Sequence, residues 1–190
     1  MNKWKEPPHE FRNNLATWVR LFAKHLPTRS IRHWLYRNFL VRRMGKFVRI
    51  GMDVEIRFPK NIEIGNNVQI NDDVFIMNHG NVTLGDDVLI GPGVKILTVY
   101  HDCLTSISER EEDVPCWQKG KPRFVPVIIE HDVWIGTNVV ILPGSHIGHH
   151  SVIGANSVVK GNINPFSLIG GNPPRLTKIL NSSTVLSRSR

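Results

Sequence analysis

Cysteine is scarce in this sequence, with only Cys103 and Cys116 among 190 residues. Two cysteines are too few for the disulfide framework of a small secreted domain, so a reducing compartment is expected. No apolar run approaches the roughly 18 residues of a membrane-spanning helix, and the N-terminus lacks the apolar core and small-residue cleavage site of a signal peptide. Together these absences favour a cytoplasmic protein.

The charge is strongly positive and unevenly placed. The formal net charge is +8, and many of the basic residues lie within 1–49, with a smaller group near the C-terminus that includes Arg175 and Lys178. Such an excess suits nucleic acid, an anionic membrane surface or an acidic ligand such as a nucleotide cofactor. Nucleic acid is the weakest of the three, because no nucleic-acid-binding domain or stacking motif is recognisable. The length allows one domain with a short appendage.

A six-residue repeat dominates the second half of the chain. Aliphatic residues stand at positions 129, 135, 141, 147, 153 and 159, in segments such as IEHDVW, IGTNVV and IGANSV. Helices do not repeat every six residues, whereas short strands joined by tight turns do. Three such segments close a triangular coil, and coils stack with their aliphatic side chains inward. The repeat therefore predicts an all-β core, a left-handed parallel β-helix of hexapeptide repeats.

The interruptions of the repeat indicate where a site would lie. The same register runs backwards through Leu84, Ile90 and Ile96, then Ile64, Ile70 and Ile76, then Ile50 and Ile56. Each interruption follows the third segment of a coil, and the longest separates Ile96 from Ile129 by 33 residues. The interruptions should therefore stack along one edge, which brings Asn78 and His79 near His101. A loop as long as 98–127 is typical of a functional segment.

The remaining parts of the chain flank a β-helix domain at 46–180. We expect 1–45 to be a basic amphipathic helical segment, from the helical spacing of Phe11, Leu15, Trp18, Val19 and Phe22 and then of Ile31, Leu35, Phe39 and Val41. The favoured role for this segment is to cover the open end of the β-helix. The alternative is contact with anionic lipid, supported by Arg29, Arg32, Arg37, Arg42 and Arg43 beside Trp34 and Tyr36. The polar tail 181–190 is expected to be disordered.

Four stretches of the sequence resemble the hexapeptide-repeat acetyltransferases. They are VTLGDDVLIGPGVKI followed by His101, then DVWIGTNVVILPGSHIG, SVIGANSVV and GGNPPR. The resemblance spans residues 71 to 178 and is strongest to the galactoside, maltose and nodulation-factor O-acetyltransferases. The basic N-terminal segment is similar to that of relatives that acetylate surface polysaccharides. The resemblance implies a homotrimer with sites between neighbouring prisms and acetyl-CoA as the co-substrate.

The resemblance also assigns the reacting side of the site. His101 corresponds to the catalytic histidine, and imidazole suits a general base because its pKa lies near neutral pH. Asn71 matches an asparagine near the reacting groups. Asn78 and His79 match acceptor-side positions where acidic residues are common in the sugar enzymes, and this departure leaves the acceptor open. Asp102 is expected on the acceptor side, where it or a backbone carbonyl would fix the imidazole tautomer.

The cofactor side is assigned by resemblance as well. Small residues would let the pantetheine arm approach the backbone, and charged ones would pair with the phosphates of coenzyme A. Trp134 would line the site, although a core aromatic would give the same pattern. The expected cofactor contacts are Trp134, Thr137, Gly154, Ala155, Lys160, Arg175 and Lys178.

These assignments imply an O-acetyltransferase that moves acetyl from acetyl-CoA directly to a sugar hydroxyl, in cell-surface polysaccharide biosynthesis. N-acetylation of an amino sugar or nucleotide sugar is an open alternative, because the same base would serve it. Covalent catalysis by Cys103 is less favoured, since the family pattern requires no cysteine there. A non-catalytic, membrane-associated scaffold is a further alternative, against which the intact His101, Asn71, Ala155 and Arg175 argue.

A metal site is the main chemical rival. The γ-class carbonic anhydrases share this fold and bind zinc through three histidines, but the position of their second histidine is occupied here by Ser106. His146, His149 and His150 form another candidate cluster, yet they stand at successive turn positions without a clear Asp, Glu or Cys partner. We therefore expect no metal.

Overall fold

The computed structural model describes His25 and residues 29–101 and 121–180. Its helical elements are α1 (Arg29–Leu35), a π-helical turn (Tyr36–Leu40) and a 3-10 turn (Pro59–Asn61). The strands are β1 (Arg43–Met44), β2 (Arg49–Ile50), β3 (Glu55–Ile56), β4 (Ile62–Ile64), β5 (Gln69–Ile70), β6 (Phe75–Met77), β7 (Val82–Leu84), β8 (Leu89–Ile90), β9 (Lys95–Leu97), β10 (Val99–His101), β11 (Pro122–Phe124), β12 (Val127–Ile129), β13 (Trp134–Ile135), β14 (Val140–Ile141), β15 (His146–Ile147), β16 (Val152–Ile153), β17 (Val158–Val159), β18 (Asn162–Ile163), β19 (Ser167–Gly170) and β20 (Arg175–Ile179).

The strands form the three faces of a triangular prism. The first sheet has the order β1-β4-β7-β12-β15-β18, the second β2-β5-β8-β13-β16-β19-β20 and the third β17-β14-β9-β6-β3. All neighbours in these sheets are parallel except β20, which returns antiparallel to β19. β10 and β11 form a separate antiparallel pair. The predicted left-handed parallel β-helix is confirmed.

The core is a stack of aliphatic side chains inside the prism. Every aliphatic residue that the six-residue register predicts to point inward, from Ile50 to Val159, has a relative exposure of 2% or less. A second inward position two residues earlier is mostly valine, as at Val68, Val88 and Val133, and is serine in the last coils. Burial of each aliphatic side chain stabilises the folded state by roughly 1.5–3 kcal/mol. The period of six therefore determines both the register and the core.

The corners of the prism depend on residues that tolerate a left-handed backbone. Asn67, Asp87, Asp132 and Asn138 all have φ between 51° and 59°, a region that Asn and Asp enter more easily than other residues with a Cβ. Close stacking of the corners also requires glycine. A Cβ placed on Gly136 would lie 2.7 Å from the backbone nitrogen of Ala155. Short turn residues therefore allow successive coils to stack.

The N-terminal helix covers the first coil, but through a different face from the one predicted. Ile31 and Phe39 are 49% and 46% exposed, whereas Arg32, Tyr36 and Leu40 are buried. Carbonyl oxygens such as those of Ile70 and Val74 accept from N–H groups of the coil before, whereas the matching carbonyl oxygens of the first coil, at Ile50 and Val54, face the helix. Side-chain donors on the buried face of the helix reach these oxygens, which leaves the apolar residues outside.

The strand pairing of the prism begins three residues before the predicted domain boundary at 46. β1 pairs with β4 in the first sheet, so the β-helix begins at Arg43 and not at 46. The predicted helical residues 11–22 and the tail 181–190 lie outside the described residues. Among the helices that are described, none is long and apolar enough to cross a bilayer.

Candidate active site

The interruptions of the repeat stack along one edge of the prism, as predicted. The Asn61 side-chain amide donates to the carbonyl oxygens of Asn78 (3.2 Å) and His79 (3.0 Å) in the next coil. The Gly80 amide in turn donates to Thr98 Oγ1 at 2.8 Å, one coil further on. We call this the loop edge. It carries His79 and the start of the long loop.

His101 lies at the end of a two-stranded arm on the loop edge. β10 and β11 pair antiparallel, with His101 opposite Pro122 and Val99 opposite Phe124. The His101 side chain is exposed, so its imidazole is accessible from solvent. The loop that continues from the arm includes Asp102, Cys103 and Ser106, which lie outside the described residues.

Thr98 fixes the base of this arm, a role that the sequence analysis missed. Its side chain is fully buried, and Oγ1 donates to the Met77 carbonyl at 3.0 Å while accepting from Gly80 N–H at 2.8 Å. The Thr98 carbonyl accepts from Val125 N–H at 2.8 Å, just after the arm returns. One residue therefore anchors both ends of the loop to the coil below.

An aromatic strip lies beside the arm. The His79 ring packs against Phe58 with centroids 4.2 Å apart and stacks on Phe124 with centroids 5.4 Å apart and planes 14° from parallel. His79 and Phe124 are exposed, the latter by 54%. The strip of Phe58, His79 and Phe124 gives the loop edge an accessible apolar surface. Of its members, only His79 was predicted from the sequence.

Asn78 does not face an acceptor, although the sequence predicted it on the acceptor side. Its side chain has no exposed surface. Its Oδ1 accepts from Phe58 N–H at 3.0 Å, and its Nδ2 donates to the Phe58 carbonyl at 2.7 Å. The amide that was expected to face an acceptor instead ties two coils together, because both of its polar atoms are bonded to backbone.

Asn71 lies on another edge of the prism, between the second and third sheets. Its Nδ2 donates to the Ile90 carbonyl at 2.8 Å, and its Oδ1 accepts from Gln69 Nε2 at 2.9 Å. Thr137 and Ala155 lie on the same edge in later coils, where the Asn156 amide donates to the Thr137 carbonyl at 2.9 Å. We call this the glycine edge, because Gly51, Gly91, Gly136, Gly154 and Gly170 recur along it. Within one chain, Asn71 and His101 therefore lie on different edges.

The predicted charged and aromatic cofactor residues line two grooves near the C-terminal end. Lys160 and Arg175 line a groove of about 310 Å³, and Trp134 and Lys178 line another of about 390 Å³. Trp134 is 50% exposed, so it is not a core aromatic residue. The structure thus brings Lys160 together with Arg175, and Trp134 together with Lys178.

Comparison with known proteins defines the family. Residues 126–161 match the bacterial transferase hexapeptide family (six repeats). Galactoside O-acetyltransferase of Escherichia coli K12 is 33% identical over 149 residues, which cover 76% of this chain and 69% of that protein. This chain belongs to the hexapeptide-repeat acetyltransferase family. The predicted acyltransferase class is therefore confirmed.

Two further members of the family are similar to this chain. The hexapeptide-repeat acetyltransferase of Vibrio cholerae, solved in complex with acetyl coenzyme A, superposes with a TM-score of 0.77 at 33% identity, over 88% of this chain and 86% of that one. The putative lipopolysaccharide biosynthesis O-acetyl transferase WbbJ of Escherichia coli K12 is 36% identical over 107 residues, 56% of this chain and 54% of that protein.

Proposed function

We propose that this protein transfers the acetyl group of acetyl-CoA to a sugar hydroxyl during the synthesis of a cell-surface polysaccharide, with His101 as the general base. The position of His101 carries the proposal, because it is an accessible imidazole at the end of an anchored arm on the loop edge. The similarity to galactoside O-acetyltransferase and to WbbJ supports the sugar acceptor and the polysaccharide role.

The reaction needs one base and one set of oxyanion donors. His101 accepts the proton of the acceptor hydroxyl as its oxygen attacks the thioester carbonyl, and backbone N–H groups stabilise the tetrahedral oxyanion. When the intermediate collapses, the carbon–sulfur bond breaks and the imidazolium returns the proton to the departing thiolate. The products are the acetyl ester and coenzyme A, and no covalent enzyme intermediate forms.

The aromatic strip supports a saccharide acceptor. Sugars present C–H faces as well as hydroxyls, and an exposed aromatic ring packs against such faces without restricting the hydroxyls. Phe124 presents an exposed ring next to His79, on the arm that also carries His101. A sugar seated on Phe124 would therefore lie near the base.

The cofactor would use the glycine edge and the C-terminal grooves. Thr137, Gly154 and Ala155 offer close backbone approach to the pantetheine arm, and Lys160 and Arg175 offer charge to the phosphates. Asn71 belongs to the glycine edge, whereas His101 belongs to the loop edge. A site that uses both edges is completed when a second prism packs alongside, which supports a homotrimer with sites between neighbours.

Peripheral contact with the cytoplasmic face of an anionic membrane is supported by the outer face of α1 and the turn after it. Ile31, Trp34 and Phe39 are all about half exposed, and the Trp34 and Phe39 rings pack edge to face with centroids 5.1 Å apart. Arg37 is exposed in the same segment, and basic residues beside apolar ones suit anionic lipid. Trp34→Ser should abolish flotation with anionic liposomes while His33→Ser should not. Equal flotation of wild type and Trp34→Ser would contradict the contact.

The acceptor class is tested by identifying the product. The protein is incubated with acetyl-CoA and a panel of sugars and amino sugars, and the acetylated products are analysed by mass spectrometry before and after mild alkaline hydrolysis. Alkali-labile esters support O-acetylation. Alkali-stable amides on amino sugars would contradict O-acetylation and indicate N-acetylation. Binding of coenzyme A without any product would favour the scaffold alternative.

A further inference from the structure

A histidine cluster lies on the third edge of the prism, between the first and second sheets. His131, His149 and His150 each offer one ring nitrogen within 4.8 Å of the other two. The His131 and His149 rings are stacked, with centroids 4.8 Å apart, and the His150 ring is perpendicular to both. The cluster joins two successive coils, because the His150 amide donates to the His131 carbonyl.

The acidic partners that the sequence analysis did not find come from the coil before. Asp132 makes a short contact with His150 Nδ1, and the Glu130 carboxylate bonds His146 Nε2 at 2.8 Å and the His149 backbone N–H at 2.9 Å. The expectation that these histidines have no acidic partner is therefore wrong. His131 itself was missed, although it lies 18 residues before His149, one coil of three hexapeptides.

One nitrogen in the cluster lacks a partner. His149 Nδ1 is buried, and no hydrogen-bond partner reaches it among the residues that the structure describes. A buried polar atom left unpaired costs about 1–3 kcal/mol, so such an atom calls for an explanation. A bound cation would supply one, because a neutral imidazole nitrogen is a metal ligand.

The surroundings of the cluster also suit a cation. The Asp132 carboxylate holds His150 through Nδ1 and leaves Nε2 free, an arrangement that orients histidine ligands in metal sites. The Phe166 ring packs on both His149 and His150, with centroids 5.1 and 4.8 Å away, and provides an apolar wall. Asp86 belongs to the same corner one coil earlier, where its carbonyl accepts from the Asp132 amide at 2.9 Å. The cluster therefore combines imidazole ligands with an orienting carboxylate and an apolar wall.

We propose that His131, His149 and His150 bind a divalent cation of the zinc class within a single chain. Zinc bonds imidazole nitrogen at about 2.0–2.1 Å in tetrahedral geometry, which requires ligand atoms roughly 3.3 Å apart. The exposed His131 side chain can rotate to close the distance, and water completes the fourth position. The cation acts as a clamp between two coils. It lies on a different edge from His101, and His150 and Asp132 also line the groove that contains Trp134 and Lys178.

The test is a zinc titration of chelator-treated protein by competition calorimetry. Wild type is expected to bind one Zn²⁺ per chain. His131→Asn, His149→Asn and His150→Asn should each weaken binding by a hundredfold or more. Asparagine is the matched replacement, because Asn66 and Asn67 occupy the same corner two and three coils earlier, and Asn67 has the same left-handed φ as His150. Circular dichroism checks that each variant is folded.

Two controls separate this site from other zinc-binding groups. His146→Asn removes a nearby histidine that also has a carboxylate partner, and His101→Ala removes the proposed base. Both should bind zinc like wild type, whereas Asp132→Asn should bind about 10- to 100-fold more weakly because it loses the orienting carboxylate. Absence of stoichiometric binding would overturn the site. So would binding that survives the three cluster substitutions, or binding that is lost in His101→Ala.

Discussion

The Arg32 guanidinium donates two hydrogen bonds, of 2.9 and 3.1 Å, to the carbonyl oxygen of Ile50 in the first coil of the β-helix. Arg32 is only 3% exposed, and Tyr36 Oη makes the matching bond to the Val54 carbonyl at 3.0 Å. The helix thus supplies the donors that a preceding coil would have provided. This relationship explains why a charged residue faces the core end of the prism.

Arg32→Met should therefore destabilise the protein. The substitution keeps much of the side-chain length but leaves the Ile50 carbonyl without its charged donor, which costs about 1.5–3 kcal/mol. Urea unfolding measures the loss. Arg37→Met on the exposed side of the same segment is the control and should change stability by less than about 0.5 kcal/mol. Equal effects of the two substitutions would contradict a capping role for Arg32.

Thr98→Val should loosen the base of the arm without changing its shape. Valine keeps the β-branch and the backbone bond to the Met77 carbonyl but leaves the Gly80 N–H unpaired, with an expected loss of about 1–3 kcal/mol. Acetyl transfer should fall as well, because the arm positions His101. Thermal unfolding and thiol release measure both effects. Thr83→Val, at an exposed strand position, should leave both unchanged, and an equally neutral Thr98→Val would refute the anchoring role.

Phe124→Ala should affect the acceptor more than the cofactor. Removal of an exposed aromatic ring from the strip should raise the acceptor KM by about 2- to 10-fold, corresponding to about 0.5–1.5 kcal/mol for an aromatic contact. The affinity for coenzyme A should not change, because the C-terminal grooves are untouched. Ile128→Ala removes an exposed apolar side chain of the adjacent strand as the control. An unaltered acceptor KM in Phe124→Ala would show that the strip is not part of the acceptor site.

Glu130 should make stability depend on acid pH. The backbone N–H of His149, and then the bond to His146, hold the pKa of the Glu130 carboxyl below its usual value. A lowered folded-state pKa gives stability that is present above the ordinary Glu pKa of about 4.3 and is lost as the pH falls through the folded value. Urea unfolding from pH 7 to 3, with a chelator present, measures this dependence.

Glu130→Gln tests this assignment. The stability difference between wild type and Glu130→Gln should be largest near neutral pH and shrink in acid. Glu63→Gln, at a partly buried position of the same first sheet, removes a carboxylate in the same way and serves as the comparison. A difference between wild type and Glu130→Gln that does not vary with pH would contradict the lowered pKa.

The sequence was sufficient to predict the prism because its register is local. Each segment carries its own aliphatic residue at the sixth position, so these inward residues and the stacked loop edge followed from the spacing alone. Which face of the N-terminal helix is buried depends instead on the carbonyl oxygens that the first coil presents to it. A helical pattern could not reveal that Arg32 would be buried in preference to Ile31.

The site was predicted unevenly for a similar reason. The edge that carries His101 and His79 followed from the interruptions, whereas the structural use of Asn78 depends on the backbone of Phe58 one coil below. The histidine cluster joins residues of two successive coils, with His131 and Asp132 in one and His149 and His150 in the next. The six-residue register places them together, but they are too far apart along the chain to match a local metal-binding motif. Thr98 has no motif, since its importance comes from where the loop leaves and returns.

The most direct test of the central claim is thiol release from acetyl-CoA by wild type and His101→Ala, with calorimetric titration of coenzyme A on both. If His101 is the general base, turnover in the variant should fall by about 10²- to 10⁴-fold while coenzyme A binds with unchanged affinity. The control His146→Ala should retain full turnover. A His101→Ala enzyme that keeps wild-type turnover would contradict the account.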